Sequence, residues 1–176
     1  MKREEHFVVP KELPRHEMLL RAARQYPTLD ASALETLFAL MRVSANLQAA
    51  LQVHYNRYKI SPGRFSVLAS LEFGALADDA GPSELADHLG VTSATMTGLL
   101  DGLERDGLIV RVDHPADRRR MKVLLTTAGK RYLDQVLPDH FRRISALMAN
   151  LSAEERRQLI QLSHKVGQEI PALRET

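Results

Sequence analysis

The sequence predicts a mainly α fold carrying one small β-hairpin, an α+β class, on three observations. Apolar residues recur at three- and four-residue spacing over most of the chain, the period of an amphipathic helix. Two short helical patterns lie close together: Ser83–Leu89, ended by Gly90, and a second that Thr92 or Ser93 can cap and Gly107 stops. Two short runs rich in Leu, Ile and Val, Leu108–Asp113 and Met121–Leu125, flank the turn His114-Pro115-Ala116-Asp117. Aromatic residues make up 5% and Trp is absent, so Leu, Ala and Val must supply the packing, which favours helices.

The elements follow in order. Residues 1–30 are polar and broken by Pro10, Pro14 and Pro27, with room for one short helix between Arg15 and Gln25. Asp30 can cap a long helix running to Tyr58, with Leu34, Leu37, Phe38, Met41, Leu47, Leu51 and Tyr55 on its apolar side. Ser61 and Pro62 end that segment and start the next helix, which reaches Gly74 through Phe65, Val67, Leu68 and Leu71. Residues 75–82 read as a loop. In the two short helices Leu85, Ala86 and Leu89, then Met96, Leu99, Leu100 and Leu103, form the inward faces, and Gly107 stops the second. After the hairpin, Thr126 or Thr127 starts a long helix that Pro138 should kink. Ser152-Ala153-Glu154-Glu155 is a capping box that opens a last helix running to Pro171.

Two short helices around a tight turn, followed by a basic hairpin, form a helix-turn-helix with a wing, an order that can place its second helix in a DNA major groove. The charge supports this reading. The net charge is only +2, but residues 105–131 carry eight basic against three acidic side chains, while residues 61–104 carry one against seven. Positive charge concentrated in one element suits phosphate contact. The chain then divides into an N-terminal arm (1–29), a winged helix-turn-helix DNA-binding domain (61–126), and a helical dimerisation region (30–60 and 127–176). The outer helices are too apolar for a small winged domain to bury alone, so they predict a homodimer that presents two recognition helices to a near-palindromic operator.

Composition excludes several other chemistries. There is no Cys, hence no disulfide, thiolate metal site or thiol redox sensor. The seven His are scattered without metal-ligand spacing, and no Gly-rich phosphate loop or Gly-x-Ser-x-Gly occurs, so neither metal, cofactor nor enzymatic activity is expected. The charged N-terminus lacks a signal-peptide core and no segment approaches the ~20 apolar residues of a membrane span, which predicts a cytoplasmic protein without membrane contact.

Over residues 30–170 the chain resembles the MarR family of bacterial winged-helix regulators. The resemblance rests on Thr95-Met96-Thr97, Leu103-Glu104, Gly107-Leu108-Ile109, Arg111, Pro115, Asp117-Arg118-Arg119, Leu125-Thr126 and Gly129, in order and at family spacing. It implies a homodimeric transcriptional regulator, usually a repressor, released by a small phenolic or anionic effector. Two alternatives stay open: a metal-responsive winged-helix regulator, and a winged-helix module used for protein contacts.

The candidate DNA-binding residues are Ser83, Ser93, Thr95, Thr97, Arg111, Asp117, Arg118, Arg119, Arg120 and Lys122. Ser93 and Thr97, four apart, share a face of the second helix, and Ser83 sits at a helix N-terminus suited to a phosphate. The resemblance implies that Arg119 reaches the minor groove and that Asp117 orients the wing. Arg118, Arg120 and Lys122 are assigned to phosphates or the wing surface. Arg111 is either a contact or a structural ion-pair residue. Gly98 and Gly102 stand where family members commonly place larger polar or basic side chains. The candidate effector residues, where the first two long helices meet the helix after the wing, are His54, Tyr55, Arg57, Arg64, Phe65 and Tyr132; for each alone, core packing or surface charge is the competing role.

Overall fold

The computed structural model describes residues 16–74, 80–114 and 117–173, with the side chains of residues 117–119 also outside the description. The elements are α1 (His16–Gln25), α2 (Ala31–Asn56), α3 (Pro62–Phe73), α4 (Pro82–Leu89), α5 (Ser93–Arg105), β1 (Ile109–His114), β2 (Asp117–Leu125), α6 (Thr127–Leu147) and α7 (Ala153–Glu169), followed by a 3-10 turn at Ile170–Leu173. The chain divides into two compact units, Met1–Val67 and Leu68–Thr176.

In the first unit, α1 packs on α2, with Leu19 buried and His16 Nδ1 2.9 Å from Glu35 Oε2. Asp30 caps α2 by accepting from the Ser32 and Ala33 amides at 2.8 and 3.1 Å. Donation from the Ser32 hydroxyl at 2.8 Å, and then from these two amides, holds its carboxyl below the ordinary carboxylate range. The helix ends at Asn56, before the point its pattern suggested, and Lys59 takes a left-handed φ of 55°. Ser61 does cap α3, its hydroxyl accepting from the Arg64 amide at 3.3 Å.

The second unit holds a tight core. Leu68, Leu85, Met96, Leu100, Leu103, Ile109, Val123, Leu133 and Val136 are each under 2% exposed. Burying one such side chain is worth about 1.5–3 kcal/mol. Gly90 closes α4 at φ 63°, and Thr92 opens α5, its hydroxyl accepting from the Thr95 amide at 3.1 Å. Gly107 turns the chain out of α5 at φ 70°. Thr126 then does two things at once: its hydroxyl donates to the Gly107 carbonyl at 2.7 Å and accepts from the Gly129 amide at 3.0 Å, capping α6. Gly129 is needed for close approach, since a Cβ there would stand 2.1 Å from the Leu108 carbonyl oxygen. The helix α6 continues through Pro138 as one element.

The hairpin corrects one expectation. The second strand, expected over Met121–Leu125, extends from Asp117 to Leu125, and Asp117, expected in the turn, pairs with His114. The strands are antiparallel, and the register is regular from Ile109↔Leu125 to Asp113↔Met121, then jumps to His114↔Asp117. One step along β1 therefore answers to four along β2. Such a bulge lengthens one strand and strengthens its twist. It is also why a reading of local turn residues stopped short of it. Pro115 and Ala116 lie outside the described residues.

The last helix is of another kind. Ser152 and Glu155 form the expected capping box, with both reciprocal bonds present at 2.7 and 3.2 Å. Yet α7 has no buried residue at all.

Candidate nucleic-acid interface

The inward face of α5 is fixed by Met96, Leu100 and Leu103, all buried. That leaves Ser93, Ala94, Thr95, Thr97, Gly98 and Asp101 exposed on its outer side. The hydroxyls there are not all equivalent. Thr97 donates its proton to the Ser93 carbonyl at 2.9 Å. It therefore offers outward only acceptor lone pairs and a methyl group. Thr95 shares a 2.9 Å hydroxyl contact with the capping Thr92. Gly98 has nothing within 4 Å of an added Cβ, so the fold does not require a glycine there.

Arg111 ties the wing to this helix. Its guanidinium meets Asp101 at 2.6 Å and Glu104 at 3.3 Å, and its backbone N–H donates to the other Glu104 oxygen at 3.1 Å. Of the two roles open to Arg111, the structure shows the ion pair. Asp101 and Glu104 lie three apart on α5, so both reach one partner on the adjoining strand.

Arg120 is also engaged. Its Nη2 lies 2.5 Å from Glu84 Oε1, a carboxylate in the first turn of α4. Lys122 is half-buried on β2, opposite Val112. Ser83 is exposed in the first turn of α4, where the cap residue Gly81 supplies no side-chain bond. The backbone of Asp117, Arg118 and Arg119 is placed in β2, while their side-chain directions lie outside the described residues. Sequence reading missed Glu84, Asp101 and Glu104 as partners. Asp101 and Glu104 were detectable in principle, one helical turn apart and close in sequence to Arg111. Glu84 was not, being 36 residues from Arg120.

Five of the six effector candidates belong to the first unit. Tyr55 and Phe65 are each 5% exposed with ring centroids 4.5 Å apart, and His54 meets Tyr58 edge-on with centroids 5.5 Å apart. Burial pushes the Tyr55 hydroxyl up to about 12, so it stays protonated. Tyr55 and Phe65 form part of the apolar core. Arg64 is half-buried and Arg57 exposed; Tyr132 is half-buried on α6 in the second unit. Among the described residues there is no group of three or more His, Asp or Glu able to hold a metal, and no helix long and apolar enough to cross a membrane. An open groove runs along α7, lined by Leu159, Ile160, Ser163, His164, Gly167 and Gln168.

Known proteins share this fold. The MarR family model matches residues 60–121. The chain is 39% identical over 152 residues to the HTH-type transcriptional repressor YetL of Bacillus subtilis (strain 168), covering 86% of this chain and 90% of that one. The structure superposes on the S. aureus MepR–DNA complex with a TM-score of 0.68 at 22% identity, over 76% of this chain and 94% of that one. It also superposes on PcaV of Streptomyces coelicolor in complex with its natural ligand, with a TM-score of 0.60 at 23% identity, over 72% and 89%. These two likenesses show the fold.

Proposed function

The chain belongs to the MarR family of DNA-binding transcriptional regulators, and on that premise we propose that it acts as a homodimeric repressor of a near-palindromic operator. The observation that carries the proposal is the pairing of an exposed hydroxyl face on α5 with a basic strand held beside it through Arg111. Arg111 leaves the wing a fixed distance from the recognition helix, as simultaneous major- and minor-groove contact requires.

Each element takes a distinct part. The α5 face reads the major groove through Ser93, Thr95 and Thr97. With its proton committed to Ser93, Thr97 accepts from a base amino group or lays its methyl against thymine. Such contacts discriminate modestly. Arg119 therefore carries a large share of recognition by entering the adjacent minor groove, where groove width and A·T content are read. Arg118, Lys122 and Ser83 contact phosphates, and Asp117 orients the wing.

The dimer is supported by α7. Leu159, Ile160, Leu162 and Val166 on α7, with Ile170 just after it, are 44–58% exposed in a single protomer. A contiguous apolar patch of this kind marks an interaction surface. Release by a small phenolic or anionic effector is proposed from the resemblance. PcaV, of the same fold, was solved with its natural ligand.

Selection of bound fragments from genomic DNA, then titration of the best site at two salt concentrations, tests the proposal. Tight binding to an inverted repeat, falling steeply with salt, is expected. No enrichment of any duplex at either salt would overturn it.

A further inference from the structure

Arg120 is the last of three consecutive arginines on the wing strand, and its charge alone suggests a phosphate contact. Its geometry suggests another task. The guanidinium reaches Glu84 Oε1 at 2.5 Å, across from β2 to the first turn of α4. Two backbone features run beside that pair. The Val123 amide donates to the Ala80 carbonyl at 2.8 Å. A Cβ on Gly81 would fall 2.4 Å from Glu84 Oε2 and 3.0 Å from the Met121 carbonyl oxygen. The chain entering α4 therefore lies directly along β2, and Gly81 leaves the space in which the Glu84 carboxylate sits.

This anchor falls where the hairpin ladder is weakest. The register jump places residues 118–120 in the irregular step between Asp113↔Met121 and His114↔Asp117. Cross-strand pairing to β1 does not set the direction of this segment as it does for residues 121–125. A tie from the other side of β2 does.

We infer that Glu84 and Arg120 are positioning residues for DNA binding. The pair fixes the direction in which β2 presents Arg118 and Arg119, and Arg120 itself adds no phosphate contact. Neutralised by Glu84, it releases no counterion from the duplex on binding. This inference rests on the DNA-binding reading above and adds to it the element that aims the wing. It also distinguishes the three arginines, which composition treats alike.

The test uses the full chain and its selected operator duplex, with four variants: Glu84→Gln, Arg120→Gln, the double Glu84→Gln/Arg120→Gln, and the swap Glu84→Arg/Arg120→Glu. Each single variant is expected to weaken binding by about 3–10-fold, the double no more than either single, and the swap to recover most of the loss. The dependence of affinity on salt should keep its slope throughout. Hydroxyl-radical protection of the flanking minor groove should fade in the single variants while protection under α5 persists. Melting temperature should hardly move, because a half-exposed pair contributes little to stability. Gly81→Ala, which displaces the Glu84 carboxylate without removing either partner, should reproduce the single variants.

An Arg120→Gln variant that lowers the salt slope by about one, alongside a Glu84→Gln variant that binds as well as or better than wild type, would overturn the inference. Arg120 would then be a phosphate contact that Glu84 competes for. Unchanged affinity in both single variants would overturn it too. Failure of the wild-type chain to bind any duplex would instead contradict the DNA-binding reading itself.

Discussion

The segment from α4 to β2 and the helix α7 are both amphipathic in sequence, yet they finish folding differently. In the first, the apolar face is closed inside the protomer, with Leu85, Leu100 and Leu103 at 0% exposure, and the polar groups at its edges meet partners: Arg111 with Asp101 and Glu104, Arg120 with Glu84. In the second, only the cap is complete. Leu162 is 58% exposed, and Leu173, in the 3-10 turn that follows, 83% exposed. An apolar stripe left in water costs free energy that a second copy of the chain would recover. The contrast separates two kinds of information in one sequence. One segment encodes a self-sufficient shape, and the other leaves an apolar stripe for which a second copy of the chain is proposed as partner.

The largest effect should come from breaking the closed segment. Leu100→Ala is expected to destabilise the protomer by about 2–5 kcal/mol in urea titration, through the lost transfer energy and the cavity left behind. The opposing test is Leu162→Asp on α7, which should leave the DNA-binding lobe folded while light scattering shows dimer giving way to monomer. Equal losses of fold from both variants would erase the distinction drawn here. Next comes Arg119→Ala, expected to weaken operator binding by about 1–3 kcal/mol at fixed salt, with no loss of stability.

Gly98 sits mid-helix in open space, so Gly98→Ala should stabilise the protein by about 1 kcal/mol in thermal unfolding. If operator affinity falls at the same time, the glycine is kept for close approach to DNA. The smallest effect concerns the α7 cap. The bonds from the Ser152 amide and side chain hold the Glu155 carboxyl below its ordinary 4.5. A carboxylate with a depressed folded pKa stabilises above its unfolded value, and the contribution disappears as pH falls through the folded one. Amide exchange in the first turn of α7 should therefore accelerate only below about pH 4.5, while the α5 cap, made by the non-titrating Thr92, shows no such change.

What was legible in the sequence was mostly local. Helix starts at Asp30, Thr92, Thr126 and Ser152, and stops at Gly90 and Gly107, depend on bonds spanning two to four residues, which the order of side chains displays directly. The helix-turn-helix was readable for the same reason. The extent of β2 was not, because its first residues join the strand through a bulge and through contacts with α4. The same limit applied to the arginines: Arg111 left two roles open, and the pairing of Arg120 with a carboxylate 36 residues away has no local signature. In the effector set, a Tyr and a Phe at helical spacing look alike whether they line a cavity or fill a core, and Tyr55 and Phe65 are buried against each other.

The most direct test of the account is a pair of anisotropy titrations, one with the full selected operator and one with a half-site, at matched salt. The account predicts two protomers per full site, affinity well above that of the half-site, and a steep salt dependence. Equal affinity for the two duplexes with one protomer bound to each would contradict it, leaving the exposed face of α7 without the partner proposed for it.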